Sequence, residues 1–211
     1  MNTNYSVNFL DTEKNVFHLL NQSEYLKEFT KSPRTVGDYV EEIVRKNISS
    51  LISGISNYEE VFARRAMADV AFEDVSKRYY FVDVKTHNLK TDFNMPNLTS
   101  VKRIAQFYQD DNNSFCLIKE DYEPNPAIVK AVHFLPIEHL EWTCLTIGAL
   151  GWGQIQIANA NHVHINRNQS RKTWMLGLCR ALEAFYPNEI EKINERITFF
   201  SEVKRYWENK I

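Results

Sequence analysis

The chain has 211 residues, with 25 Lys plus Arg against 27 Asp plus Glu and a formal net charge of −2. Charged residues make 25% and hydrophobic ones 44%, which excludes a disordered, collagen-like or coiled-coil chain and argues against coating nucleic acid through bulk positive charge. The length suits one domain, and 13 Phe, 10 Tyr and 4 Trp supply the bulk of a real core. Cys116, Cys144 and Cys179 form no CxxC pair and are odd in number, the pattern of reduced thiols. The N-terminus lacks a basic start followed by an apolar stretch, and no apolar run is long enough to span a membrane. A soluble, cytoplasmic protein with no membrane partner is the expectation.

In chain order, residues 16–29 hold Val16, Leu19, Leu20, Leu26 and Phe29, one or two short helices. Ser32-Pro33 opens a clearer helix, with a capping hydroxyl, a first-turn proline and apolar residues at Val36, Val40, Ile43, Val44, Ile48 and Leu51. Tyr58 to Met67 reads as a helical approach to two strands, Ala68–Glu73 and Tyr79–Lys85, with a polar turn at Asp74–Lys77. A loop spans Thr86–Pro96. The next helix is expected from Asn97, with Leu98, Val101, Ala105 and Tyr108 as its core stripe, ending at Asp110–Asn113. Phe115–Ile118 reads as a short buried strand, Asp121–Pro126 as a turn, Ile128–Leu135 as a strand and Ile137–Trp142 as a short helix. A glycine-marked loop, Gly148–Gly153, leads into a strand at Gln154–Ile157, and Ser170–Lys210 is helical with a break at Tyr186-Pro187. The pattern predicts an α/β (α+β) fold, a central mixed sheet flanked by helices.

Chemistry concentrates on the strand pair. A bare Asp-x-Lys is worth little, since about 0.75 matches are expected by chance in a chain this long. Glu202-Val203-Lys204, in a helical stretch, is treated as a decoy. At Asp83-Val84-Lys85, however, Phe81, Val82 and Val84 make a buried strand, where a carboxylate needs a metal or partner. A hairpin pivoting near Ser76 sets Glu73 against Tyr79, Ala71 against Phe81 and Asp69 against Asp83, each pair of numbers summing to 152. Facing carboxylates repel unless they share a cation. Lys85, two residues on, emerges on the same face. Glu41 falls at the edge of the helix stripe one turn after Gly37, whereas Glu42 projects to solvent.

Gly37-(x)3-Glu41, Ala68-Asp69 and Asp83-Val84-Lys85-Thr86 resemble the active-site pattern of the PD-(D/E)XK nucleases, most closely the blunt-cutting type II restriction endonucleases. The likeness continues at Asn88, Pro96-Asn97, Ser100, Ala105-Gln106, Gln154-Ile155-Gln156 and Arg171-Lys172-Thr173-Trp174, covering residues 35–175 thinly and with gaps. Ala68 stands where the family name puts a proline. The resemblance implies a single nuclease domain: a helical region at 1–60 that dimerises, a catalytic core at 61–135, and recognition loop, strand and C-terminal helices at 136–211. It implies Mg²⁺-dependent hydrolysis of double-stranded DNA within a short palindrome, leaving 5′-phosphate and 3′-hydroxyl, blunt ends. Asp69, Asp83 and the Val84 carbonyl would bind one or two metal ions, Lys85 would position or deprotonate the attacking water, and Glu41 would hold a second cation or its waters. The protein would act as a homodimer, with a cognate DNA methyltransferase as genetic rather than bound partner.

Two segments are expected to meet DNA. Asn94, Met95 and Asn97 lie in the loop that in relatives approaches the minor groove, although Asn97 equally suits a helix cap. Gln154, Gln156, Asn159 and Asn161 offer amides able to pair with adenine in the major groove. Arg167, Arg171 and Lys172, around a helix start, suit phosphates. His162-x-His164 is a competing metal motif that lacks further ligands at plausible spacing. The alternatives are a repair or recombination nuclease of the same fold acting on structured DNA, and a non-catalytic DNA-binding module in which Asp83 and Lys85 form a structural ion pair.

Overall fold

A computed structural model describes residues 5–58 and 68–210. The expected helical approach to the first strand of the pair lies, beyond Tyr58, outside the described residues. Helix α1 runs Phe9–Leu20, capped by Asn8, whose side chain accepts from the Asp11 amide. It starts earlier than its apolar residues alone suggest because Asn8 supplies the cap. A short α2, Ser23–Leu26, and a 3₁₀ turn, Lys27–Thr30, lead to α3, Pro33–Leu51. Ser32 caps α3 with Pro33 in its first turn, and the expected stripe, Val36, Val40, Ile43, Val44, Ile48 and Leu51, is the set that it buries.

Among the described residues, five strands form one sheet: β1 (Ile55–Asn57), β2 (Val70–Asp74), β3 (Tyr79–Asn88), β5 (Asn113–Pro124) and β6 (Ala127–Pro136), in spatial order β1-β2-β3-β5-β6. β3 and β5 are parallel and the other pairs antiparallel, a mixed sheet. A smaller antiparallel sheet, in order β4-β8-β7, comprises β4 (Asn97–Ser100), β7 (Leu145–Gly148) and β8 (Gln154–Ile157). Helix α4 (Val101–Phe107) connects β4 to β5, and α5 (Arg171–Glu208) closes the chain.

Strand alternation divides the core in two. Tyr80, Val82, Val84, Cys116, Ile118 and Phe134 pack beneath α1 and α3. Phe81, Phe115, Leu117 and Leu135 face the other way, toward the small sheet, Trp174 and Leu178. The period of two along each strand allots each side chain to one cluster or the other. A mixed sheet with helices on its flanks, as the element pattern predicts, is therefore the fold.

Four elements differ from expectation. Asn97–Ser100 is a strand pairing with β8, and Ser100 caps α4 by accepting from the Arg103 amide at 3.1 Å. β5 continues past Ile118 to Pro124, through most of the turn expected at Asp121–Pro126, and Lys119 and Asp121 share a face and bond each other. β7 pairs with β8 where the sequence offered only a connection. The last helix does not break at Tyr186-Pro187. The proline forgoes one backbone bond, and the helix continues beyond it.

Candidate active site

β2 and β3 carry the register expected of them: Val70 pairs with Val82, Ala71 with Phe81 and Glu73 with Tyr79. Asp69 stands one residue before β2, so it meets β3 at its Asp83–Val84 end. Its Oδ2 accepts the Val84 amide at 2.6 Å, fixing the carboxylate against the strand that carries Asp83. Lys85 Nζ donates to Asp83 Oδ1 at 2.7 Å and lies 3.4 Å from the Val84 carbonyl oxygen. Asp83 Oδ2 is buried and has no hydrogen-bond partner among the described residues. α3 packs across β3 with Gly37 next to Thr86, where a Cβ would sit 3.5 Å from Thr86 Oγ1, an ordinary contact. One turn later Glu41 is half-buried, while Glu42 is exposed and paired with Lys46.

The electrostatics bind these groups into one centre. Burial pushes the Asp83 carboxyl up to about 7, against the pull of Lys85 and helped by the negative charges of Asp69 and Glu41. Burial also raises Glu41, with Asp69 adding to the shift and Arg45 opposing it. Asp69, Asp83, Lys85 and Glu41 therefore share one charge environment, with too much negative charge for its degree of burial.

That excess makes a stability prediction. A carboxyl raised from about 4 to about 7 favours the folded state most at acid pH, and the benefit is lost as pH rises through that interval. Asp83→Asn removes the buried charge while keeping the shape. In EDTA at pH 8 the variant should melt ~5 °C above the parent, and the difference should shrink toward pH 5. Equal midpoints at pH 8, or a gap that ignores pH, would contradict the burial argument.

The two segments expected at DNA lie side by side. The Ala160 amide donates to the Asn94 carbonyl at 2.8 Å, and the Ile157 amide to the Pro96 carbonyl at 3.1 Å. Met95 and Asn97 are exposed, and Gln154 and Asn159 are half-buried. Three of the expected contact residues have partners within the protein. Asn161 turns its amide inward: Nδ2 donates to the Thr91 and Asp92 carbonyls, and Oδ1 meets His87 Nε2 at 2.8 Å. It thus ties the loop after β3 to the segment after β8. Gln156 donates to Asn97 Oδ1 at 2.6 Å, so each side chain occupies part of the other and Asn97 is no helix cap.

The third is Arg171. Its guanidinium donates to Glu138 Oε1 at 3.0 Å and lies 4.0 Å from the Tyr108 ring centre, with the side chain 11% exposed. Tyr5 and Tyr108 also donate to Glu138, at 2.7 and 2.6 Å. A cation so held is tied to the core through Glu138. Arg167 is bonded to Glu13 of α1, and Lys172 alone of the three is an exposed cation at the helix start with no partner in that network. His164 Nδ1 meets Thr143 Oγ1 at 3.0 Å, both histidines are exposed, and among the described residues neither joins a metal-binding group.

The sequence reading missed a second charged row. Lys119 lies beside Lys85 in the parallel register, and Asp121 beside His87. Lys119 is buried and bonded to Asp121, and burial holds Glu120, facing the opposite way, well above the usual carboxylate range. The available signal was Lys119-x-Asp121 itself, the reverse of Asp83-x-Lys85 at strand spacing.

Among the described residues, no three His, Cys, Asp or Glu side chains are grouped to hold a metal ion. Two carboxylates and a carbonyl nevertheless form a set of hard oxygen donors, and the unpartnered Asp83 Oδ2 is an atom that a cation would satisfy. An incomplete protein cage suits Mg²⁺, which retains waters and takes substrate oxygens. No known protein family matches the chain, and no curated protein is similar to it. No helix among the described residues is long and apolar enough to cross a membrane.

Proposed function

We propose that the protein is a divalent-cation-dependent endonuclease of the restriction type, hydrolysing phosphodiesters of double-stranded DNA within a short palindromic site. The observation that carries this is the buried, unpartnered Asp83 Oδ2, beside Lys85 and in the same charge environment as Asp69. A purely structural ion pair would not leave half of a buried carboxylate unsatisfied, since such an atom costs ~1–3 kcal/mol or more. This favours a centre that completes itself with a cation over a non-catalytic module.

In this role Asp69, Asp83 and the Val84 carbonyl hold Mg²⁺, and Glu41 holds a further cation or its waters. The bound cation would offset the charge developing on the scissile phosphate. Lys85 has three donors. One is given to Asp83 Oδ1 and another points at the Val84 carbonyl, leaving one for the attacking water or a phosphate oxygen. Asp69, fixed by the Val84 amide, and Lys85, fixed by Asp83, are thereby preorganised before DNA arrives. Attack on phosphorus from the side opposite the 3′ oxygen breaks the P–O3′ bond and leaves 5′-phosphate and 3′-hydroxyl ends.

Exposed Met95 and Lys172, with the half-buried Gln154 and Asn159, supply base and backbone contacts in this proposal. A restriction role further requires a methyltransferase gene nearby, because unprotected host DNA would be cut. Incubating the purified chain with a circular plasmid of known sequence and Mg²⁺ tests the proposal. Discrete fragments that religate without added kinase are expected. Cutting confined to branched, mismatched or end-bearing DNA would replace restriction with a repair role.

A further inference from the structure

Among the described residues, α5 is anchored only over its first half. Trp174, Gly177 and Leu178 are buried, Leu182 packs at the core margin, and Tyr186 Oη donates to the Trp152 carbonyl at 2.8 Å. From Pro187 to Glu208 the helix continues past these anchors for 22 residues, roughly 33 Å. Tyr186, Ile190, Ile193, Ile197, Phe200 and Trp207 are each between 40% and 65% exposed on it. Their spacings are four, three, four, three and seven, with Lys204 filling the gap in the last, which is the three-four repeat of a helix-pairing seam. A helix of this length without tertiary support is marginal in water, and its apolar stripe marks an interaction surface.

We propose that this arm pairs antiparallel with the same arm of a second copy of the chain, making the protein a dimer through its C-terminal helix. The stripe is self-complementary in that direction. Ile190 meets Trp207 of the partner subunit, Ile193 meets Lys204 of the partner subunit, and Ile197 meets Phe200 of the partner subunit. In each pair the residue numbers sum to 397. A parallel pairing in register would instead set Lys204 against Lys204 of the partner subunit, two cations in the seam. Antiparallel, Lys204 lies opposite Ile193 of the partner subunit, and Asn194 flanks Ser201 of the partner subunit.

Charge argues against other occupants. Residues 187–208 carry five acids and four bases in alternation, so the arm has neither the cationic face that an anionic membrane requires nor that of a phosphate binder. The size is also sufficient. Half-exposed aromatic and Ile side chains contribute on the order of 500 Å² per copy, and the stems of flanking charged residues bring the pair to ~1,200 Å², the lower bound of a specific interface. The N-terminal helices, where the sequence placed dimerisation, turn their apolar faces onto the sheet. Among the described residues of that third, Leu10 is the one exposed large hydrophobic.

This inference is independent of the nuclease proposal, and its test contains neither DNA nor metal. At ~10 µM the full chain should sediment near 50 kDa, twice the 24.8 kDa of one chain. Ile193→Asp combined with Ile197→Asp should sediment as a monomer, with an unchanged near-ultraviolet spectrum from the body and an apparent dissociation constant raised ~100-fold or more. In a Cys179→Ser background, Asn194→Cys with Ser201→Cys should form a disulfide-linked dimer, and neither single variant should. A monomeric parent, a double-Asp variant that remains dimeric, or failure of the paired cysteines to cross-link would overturn the proposal.

Discussion

Arg171→Ala should lower the stability of the folded chain by ~3–5 kcal/mol, the usual cost of stripping one partner from a buried ion pair. Glu138 would then be left buried with only the Tyr5 and Tyr108 hydroxyls to bond its charge. The Tyr108 ring would lose the guanidinium stacked 4.0 Å from its centre. For a chain of this length the melting temperature should fall by ~10 °C. Lys172→Ala, at the neighbouring exposed position, should leave stability within ~0.5 kcal/mol. Its effect should appear instead as weaker binding to specific and random duplexes alike, with a flatter salt dependence. Melting curves of the two variants separate the roles, and an Arg171→Ala protein as stable as the parent would refute the buried tie.

Lys85→Ala and Asp83→Ala should each reduce cleavage by at least ~10³-fold while the chain stays folded. Losing Lys85 removes the donor left for water or phosphate, and also the cation that restrains the Asp83 carboxyl. Losing Asp83 removes the unpartnered oxygen and frees Lys85 from its 2.7 Å bond. Electrostatic and positioning groups of this kind each contribute about 10²–10⁴-fold. Glu202→Ala, which disturbs the matching Glu-x-Lys pattern on an exposed helix, should leave single-turnover cleavage unchanged. Duplex binding in Ca²⁺ should survive in Lys85→Ala. Wild-type cleavage by Lys85→Ala would remove it from the centre.

Legibility followed the range of the interactions. The β2–β3 register was readable because a short polar turn joins the strands and side-chain period fixes which residues oppose. The α3 stripe was readable because one face is buried along its length. Glu41 at the stripe's margin and Gly37 beneath Thr86 follow from the same geometry. Partnerships between distant residues were not readable. Glu138 draws on Tyr5, Tyr108 and Arg171, the first of them 133 positions away, so Arg171 looked like a surface cation. Asn161 looked like a free amide because its partners, His87, Thr91 and Asp92, lie some 70 residues upstream. The expected strand stops at Ile118 because the charges that follow are tolerated inside a strand when a neighbour neutralises them, as Asp121 does for Lys119.

Plasmid cleavage by the unaltered protein, run in parallel with Mg²⁺ and with EDTA, tests most directly whether Asp69, Asp83 and Lys85 form a cation-dependent hydrolytic centre. Discrete, ligatable fragments should appear with Mg²⁺ and vanish when EDTA removes it. An intact plasmid under both conditions across several DNA sequences, or cutting that proceeds equally in EDTA, would contradict the centre proposed for these residues.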